Sequence, residues 1–305
     1  MNIVISGGTG FIGQALCASL IQAGHRIVLL TRRTEEAQRS YGSTVTVIEW
    51  NGRGAGTWER CLDDADAVIN LAGAPIADGR WTDARKRLLT DSRVLATRSL
   101  VQALSRCSSK PRTLINASGI GYYGAGDDRV LDEGGQRGHG FLADLCLAWE
   151  TEALQAEQFG VRVVMLRTGM VLEKDGGALP KMLLPFRLFA GGPILPGTQW
   201  VSWIHREDHI GIIQWALTTP NVSGPVNAVA PEPVTMQQFC KAIGQALHRP
   251  SWLPVPGFVL GVALGELATL MTTGQRIHPE KALSGGYTFH YPQLEPALRA
   301  ILATE

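Results

Sequence analysis

Gly7, Gly10 and Gly13 recur at intervals of three, behind the apolar run Ile3-Val4-Ile5-Ser6 and ahead of an apolar pattern with helical period. A strand, a tight turn and a helix N-terminus in that order form a receptacle for a pyrophosphate. The glycines let the backbone pass close to the anion, and free N–H groups at the positive end of the helix receive it. Gly7, Thr9, Gly10, Phe11, Ile12 and Gly13 are the candidate contacts. A glycine triplet alone is weak evidence, and the alternative is a turn with no ligand. Its place directly between a strand and a helix is the context the motif needs.

A second chemical signal follows one strand later, at Leu29-Leu30-Thr31-Arg32-Arg33, where no acid occurs until Glu35. In a dinucleotide-binding fold the end of the second strand meets the adenosine ribose. An acid there binds the 2′-hydroxyl of NAD, whereas arginine accommodates the 2′-phosphate of NADP. Arg32 and Arg33 suit a dianionic phosphate, since each guanidinium donates two hydrogen bonds. The alternative is a solvated basic turn, and the expected cofactor is NADP. Leu71, Ala72 and Gly73 close the fourth apolar run with small residues that let a cofactor lie across a sheet edge.

The elements that must position these residues alternate. The apolar runs predict strands at Asn2–Ser6, Arg26–Thr31, Val45–Glu49, Ala67–Leu71, Thr113–Ala117 and Val161–Arg167. Helical periods lie between them at Phe11–Ala23, Thr57–Leu62, Thr82–Arg106 and Phe141–Phe159, with Gly24 and Gly160 at helix C-caps. Such alternation means a doubly wound parallel sheet of the Rossmann α/β type with helices on both faces. After Thr168 glycine and proline crowd the chain. A strand at Trp200–Ile204, a helix near Arg206–Thr218, a strand near Pro225–Val229 and a capping box at Thr235–Gln238 follow, and a last helical stretch comes after Pro250, Pro254 and Pro256. The expected division is a nucleotide-binding domain over 1–170, to which the chain returns around 205–229, and a smaller C-terminal α/β lobe over 171–305.

The chain has 305 residues, 45% hydrophobic and 18% charged, which is globular rather than disordered composition. A net charge of +1 gives no broad field for nucleic acid or an anionic membrane. Five scattered cysteines without a C-x-x-C pair read as reduced thiols of a cytoplasmic protein, and the histidines show no metal spacing. No signal peptide is expected, and the apolar stretch near 256–271 is too short and too interrupted to span a bilayer.

The Gly-Gly-Thr-Gly-Phe-Ile-Gly turn, Asn70-Leu71-Ala72-Gly73 and Leu166-Arg167-Thr168-Gly169 resemble the extended short-chain dehydrogenase/reductases. The match is closer to the atypical, epimerase-like branch typified by the bacterial YfcH proteins. Arg80-Trp81-Thr82, Asp91-Ser92-Arg93-Val94, Ser118 to Gly124, Trp203-Ile204-His205, Gly274 to Pro279 and Gly286 to Pro292 carry it. The resemblance runs from end to end and marks 250–305 as a segment particular to the branch. It implies an NADP-dependent oxidoreductase or nucleotide-sugar-epimerase-like enzyme with a small-molecule substrate, of the sugar-nucleotide class. It also implies cofactor contacts at Arg93, Gly169 and Met170, and a homodimer formed by Thr82–Arg106 and Phe141–Phe159.

Members of that superfamily use a Tyr-x-x-x-Lys pair on the helix after the fifth strand, and a Ser or Thr at that strand's end. The tyrosine moves a proton and the lysine lowers its pKa. Here the corresponding positions are Phe141 and Leu145, which can do neither. Ser118 remains to polarise a substrate oxygen. Tyr122 or Tyr123 replaces the missing proton carrier, or both are packing or substrate-wall residues. Trp81 stacks on a substrate ring or staples a helix entry, and Trp200, Trp203 and His205 lie where the resemblance puts the substrate cleft, His205 as a hydrogen-bonded structural residue rather than a catalyst. Arg167 binds a substrate phosphate or pairs with a buried carboxylate. Asp144, Cys146 and Glu150 are expected as a solvated or capping charge, a core thiol and an ion-pair partner. The rival reading is a non-catalytic NADP-binding sensor or regulator.

Overall fold

In the computed structural model, residues 1–303 are described. The first half runs β1 (Asn2–Ser6), α1 (Phe11–Gln22), β2 (Arg26–Thr31), α2 (Thr34–Tyr41), β3 (Val45–Glu49), β4 (Ala67–Asn70), α3 (Asp83–Arg106), β5 (Thr113–Gly119), β6 (Val130–Leu131), α4 (Phe141–Leu154) and β7 (Arg162–Thr168). The second half runs β8 (Met170–Leu172), α5 (Leu179–Arg187), β9 (Trp200–Val201), β10 (Trp203–His205), α6 (Arg206–Thr218) and β11 (Gly224–Ala228). It closes with β12 (Val234–Thr235), α7 (Met236–Leu247), α8 (Gly257–Leu264), α9 (Thr269–Thr272), β13 (Arg276–Ile277), α10 (Glu280–Ser284) and α11 (Leu294–Leu302).

Seven strands form one sheet in the order β11-β7-β5-β4-β1-β2-β3, and every pairing in it is parallel. Parallel strands are buried on both faces, and β1 shows how. Ile3 and Ile5 pack with Leu16 and Leu20 of α1 and Ile212 of α6, whereas Val4 points the other way, among Leu100 and Leu104 of α3. The period of two splits one apolar run between two helical layers. The winding direction reverses between β1 and β4, so the crevice outside their carboxyl ends is the place such sheets bind ligands. A separate apolar cluster, with Phe186, Trp203, Phe239 and Leu298, packs α5, β10, α7 and α11 together.

The structure differs from the sequence expectation in places with clear causes. The short helix α2 escaped notice because its sequence TEEAQRSY buries little besides Ala37. In α5 the prolines hid a helix, although Pro180 falls in the first turn, where a missing N–H costs nothing. The strand expected over Trp200–Ile204 is two strands with different partners, β9 against β12 and β10 against β8. Ser202 breaks it, since its hydroxyl donates to Gln275 O at 2.7 Å and accepts from Ile277 N at 3.1 Å. The last helical stretch is four pieces, the first of which ends where Gly265 takes φ +62°. Among the described residues no helix is long and apolar enough to cross a membrane, and no cluster of His, Cys, Asp and Glu could hold a metal ion.

Candidate functional site

The glycine turn sits at the carboxyl end of β1 with each glycine under a separate constraint. Gly7 has φ +77°, and a Cβ there would lie 2.7 Å from the Leu71 carbonyl carbon. Gly10 donates its N–H to Gly7 O at 3.0 Å and caps α1. A Cβ on Gly13 would stand 2.3 Å from Gly7 O, so only glycine lets α1 start this close to the turn. No side chain caps α1, and its first turn carries no acid. The positive helix end and the N–H groups beside Thr9, Phe11 and Ile12 are therefore left for an external anion. Phe11 forms one wall, since a Cβ on Gly176 would come within 2.4 Å of its ring.

Beyond β2, Thr31 Oγ1 accepts from Arg33 N at 3.0 Å and turns the chain outward. Arg32 and Arg33 are both exposed. Arg33 reaches Glu36 at 2.9 Å across a well-solvated pair, which contributes little.

Leu71, Ala72 and Gly73 follow β4 directly. Gly73 is held open by Arg93 of α3, whose guanidinium a Cβ at Gly73 would meet at 3.0 Å. Arg93 donates to Ala74 O at 2.9 Å and to Leu89 O at 3.1 Å, and lies 5.2 Å from the Trp149 ring. Burial pulls its pKa down to about 10, which leaves it charged at neutral pH. Its hydrogen-bond partners are backbone carbonyls, and among the described residues no carboxylate pairs with it. Gly169 and Met170 cross from β7 to β8 on the same edge, where a Cβ on Gly169 would lie 2.5 Å from Ser202 O.

Beside this crevice lies a buried polar network. Ser118 of β5 donates to Glu150 Oε1 at 2.7 Å. Arg167 of β7 donates to the two oxygens of Glu150 at 2.9 Å each, and to Tyr123 OH at 3.0 Å. Tyr123 in turn donates to Asn227 Oδ1 at 2.7 Å. The Arg167 guanidinium lies 3.4 Å from the Tyr122 ring centroid. Burial works against the Arg167 charge, but its bonds to Glu150 outweigh that and raise its pKa. Burial also pushes the Tyr123 hydroxyl up to about 12.

Ser118 and Tyr123 thus have their protons committed inside the protein. Tyr122 is half-buried, stacked over the guanidinium, at the same sheet edge. Arg167 takes the carboxylate-pairing alternative, and Glu150 is its partner. Glu133 was missed by the sequence reading. It is buried, with its carboxyl pKa raised by burial, and accepts from Asn227 N at 2.9 Å and Lys281 N at 3.3 Å. Its one signal is an acid set before Gly134-Gly135, where no solvated role is evident.

Helix α4 opens with Phe141 and carries Leu145 one turn on. The Phe141 ring meets Trp81 edge-on at 5.3 Å, and Leu145 is buried with Trp81, Leu89 and Leu267. Trp81 donates its indole N–H to Ile76 O at 3.0 Å and is buried, so it packs rather than offering a free face. Asp144 pairs with Arg137, and burial raises the Cys146 thiol to about 11.

Trp203 is displaced from the expected cleft, whereas His205 is the hydrogen-bonded structural residue expected. Trp203 is wholly buried in the lobe, with its indole donating to Glu232 O at 3.1 Å. His205 is buried as the N-cap of α6, accepts from Glu207 N at 3.1 Å and stacks on Tyr291 at 3.9 Å, and burial lowers its pKa. Trp200 is half-buried and donates its indole N–H to Asp128 Oδ1 at 2.9 Å.

A parallel sheet wound in both directions from β1, with an uncapped helix behind a glycine turn at the reversal, defines a Rossmann-type nucleotide-binding protein. The chain belongs to the NAD dependent epimerase/dehydratase family, whose model matches residues 3–229, and residues 255–301 match a domain of unknown function, DUF1731. Epimerase family protein YfhF of Bacillus subtilis is 42% identical, with 99% of this chain and 98% of that protein covered. The crystal structure of human epimerase family protein SDR39U1 with NADPH covers all of both chains at 32% identity and a TM-score of 0.89. The nucleoside-diphosphate sugar epimerase from Corynebacterium glutamicum matches all of this chain and 59% of its own, at 31% identity and a TM-score of 0.81.

Proposed function

We propose that this protein binds NADP and acts as an oxidoreductase or epimerase-like enzyme on a small molecule of the nucleotide-sugar class. The observation that carries the reading is the uncapped, acid-free start of α1 against Gly7, with Arg32 and Arg33 one strand away. The structure solved with NADPH and the sugar epimerase neighbour support the ligand classes. In this assignment the turn from Gly7 to Gly13 holds the pyrophosphate through backbone N–H groups. Arg32 and Arg33 hold the 2′-phosphate. Leu71, Ala72, Gly73, Gly169 and Met170 floor the crevice, and Arg93 balances anionic charge with a guanidinium no carboxylate has neutralised. A nicotinamide dinucleotide bound there supplies a hydride donor or acceptor.

The protein's share of the chemistry is then to move one proton and polarise one oxygen. Tyr122 is the residue of the Ser118–Tyr122–Tyr123 set whose hydroxyl has no protein partner among the described residues, with the Arg167 guanidinium 3.4 Å from its ring centroid. While Ser118 donates its hydroxyl hydrogen bond to Glu150, its oxygen can accept from a substrate hydroxyl but has no proton to offer it. The same commitment, with Phe141 and Leu145 packed in hydrocarbon, favours the second reading of a non-catalytic NADP sensor. The reading carries cytoplasmic residence, in keeping with five free cysteines, and a homodimer through α3 and α4, whose outward sides expose Leu88 and Leu147.

Calorimetry with NADPH and NADH tests the binding half. Preference for NADPH is expected, and binding of neither nucleotide would overturn it. NADPH turnover on a panel of nucleotide sugars and carbonyl compounds tests the enzyme half. Turnover lost in Tyr122→Phe supports the enzyme, whereas turnover untouched by that change removes Tyr122 from its role.

A further inference from the structure

A turn that receives an anion through its N–H groups must keep its carbonyl oxygens turned aside. In this turn the carbonyls of Gly7, Gly8 and Thr9 are each tied to a donor of the protein. Gly7 O accepts from Gly10 N at 3.0 Å, and Thr9 O accepts from Gln14 Nε2 at 3.2 Å. Those donors belong to the turn itself and to α1. Gly8 O is served from outside, by the Tyr41 hydroxyl at 2.7 Å, across 33 residues of sequence.

Tyr41 is the last residue of α2, and it packs against the apolar cluster that contains Cys17 and Leu29. The same two side chains back Gly8, where a Cβ would meet Leu29 Cδ1 at 2.3 Å and Cys17 Sγ at 3.1 Å. The Cys17 thiol is also within hydrogen-bonding reach of Tyr41. The hydroxyl therefore meets Gly8 on the side where the turn is packed. Burial raises the Tyr41 pKa above the ordinary tyrosine value, and Cys17 adds to the shift, so the hydroxyl stays a donor at neutral pH.

A trans peptide points its C=O and N–H in opposite directions within one plane, and the Gly8–Thr9 peptide is trans. Anchoring Gly8 O on Tyr41 thus aims the Thr9 N–H away from Tyr41 and Cys17. Among the described residues Thr9 N donates to no group of the protein. It is a donor of fixed direction beside the uncapped, acid-free start of α1. Without the tether, glycine on both sides of Thr9 gives the backbone freedom to turn this peptide over. A turned peptide presents an oxygen where an anion needs a hydrogen.

We infer that Tyr41 is a positioning residue for nucleotide binding, whose hydroxyl fixes the Gly8–Thr9 peptide so that the Thr9 N–H serves a phosphate of the dinucleotide. This rests on the NADP reading above. NADP and NAD share the phosphates in question, so the effect is blind to the 2′-phosphate assigned to Arg32 and Arg33. Helix α2 starts at Thr34, directly after those arginines, and a strut that merely placed them would act on NADPH alone.

The test is calorimetry of the full chain and of Tyr41→Phe with NADPH and with NADH. It is run well below the melting temperature of both proteins, where a loss of stability alone leaves Kd unmoved. Phenylalanine keeps the ring and removes the one donor. Expected is weakening by about three- to tenfold for both nucleotides, the worth of one hydrogen bond. A second readout needs no ligand: the Thr9 amide nitrogen resonance of the nucleotide-free protein should move in Tyr41→Phe, because its peptide has lost the donor on Gly8 O. Equal Kd values for wild type and Tyr41→Phe would overturn the inference, as would an unmoved Thr9 resonance. A loss confined to NADPH would overturn it too, and would make Tyr41 a prop for the arginines. Wild type that binds neither nucleotide would overturn the NADP reading and this inference with it, a failure told apart because it needs no substitution.

Discussion

Arg167 grips Glu150 through two parallel N–H···O bonds of 2.9 Å each, across 17 residues of sequence, with both side chains buried. Ser118 shares one of those oxygens and Tyr123 the other side of the guanidinium. The pair anchors the ends of β5 and β7 to α4, which is how a charge that never meets solvent comes to sit under the crevice.

Breaking that pair from one side should be costly. Glu150→Ala leaves a buried guanidinium without its carboxylate and is expected to lose about 3–5 kcal/mol of stability. Glu150→Leu combined with Arg167→Met should recover most of that loss, since no charge is then stranded. Urea unfolding midpoints of the single and double variants decide it.

Arg32→Ala should weaken NADPH binding by about ten- to a hundredfold, the value of a charge-assisted hydrogen bond or two, and leave NADH unchanged. Parallel calorimetric titrations read the difference. Equal losses for both nucleotides would mean Arg32 acts on something other than the 2′-phosphate.

The same substitution should have opposite signs at two glycines. Gly13→Ala drives a methyl to 2.3 Å from Gly7 O, and is expected to cost about 1–3 kcal/mol and abolish nucleotide binding. Gly261→Ala, in α8 with open space around its Cβ, should stabilise by about 0.5–1 kcal/mol. Thermal melts with and without NADPH compare them.

Acid should undo the fold partly through His209. It is buried in α6 with Nε2 3.0 Å from Thr168 Oγ1 and Nδ1 unpartnered, and burial lowers its pKa from 6.5 to about 4. Between those values the unfolded chain binds a proton that the folded one refuses, so stability is full above about pH 6.5 and falls as pH drops toward 4. The loss should approach about 3 kcal/mol, at 1.36 kcal/mol per pKa unit. Urea midpoints at pH 7 and pH 4.5 should differ less in His209→Asn than in wild type.

The parallel sheet could be read from sequence because strands buried on both faces appear as unbroken apolar runs between glycines. The glycine cradle was equally legible, since it depends on residue type and backbone rather than on distant partners. The smaller lobe was not. Its strands are two or three residues long, too short for any period to show. Trp200 and Trp203 are separated by an odd number, so an extended strand cannot turn both to one cleft, and Trp203 went inward. Bonds such as Ser118 to Glu150, 32 residues apart, exist only once the sheet has assembled.

The far end of the chain is woven into what precedes it. Leu294, Ala297, Leu298 and Ile301 share an apolar cluster with Trp203 and Phe239, and Asp208 of α6 holds the N–H groups of His290 and Tyr291 at 2.8 Å. A stop codon near residue 255 would therefore release no autonomous nucleotide-binding piece. It would strip hydrocarbon bare around Trp203 and leave Asp208 buried without its donors, and such a product is a substrate for cellular proteases rather than a smaller working protein.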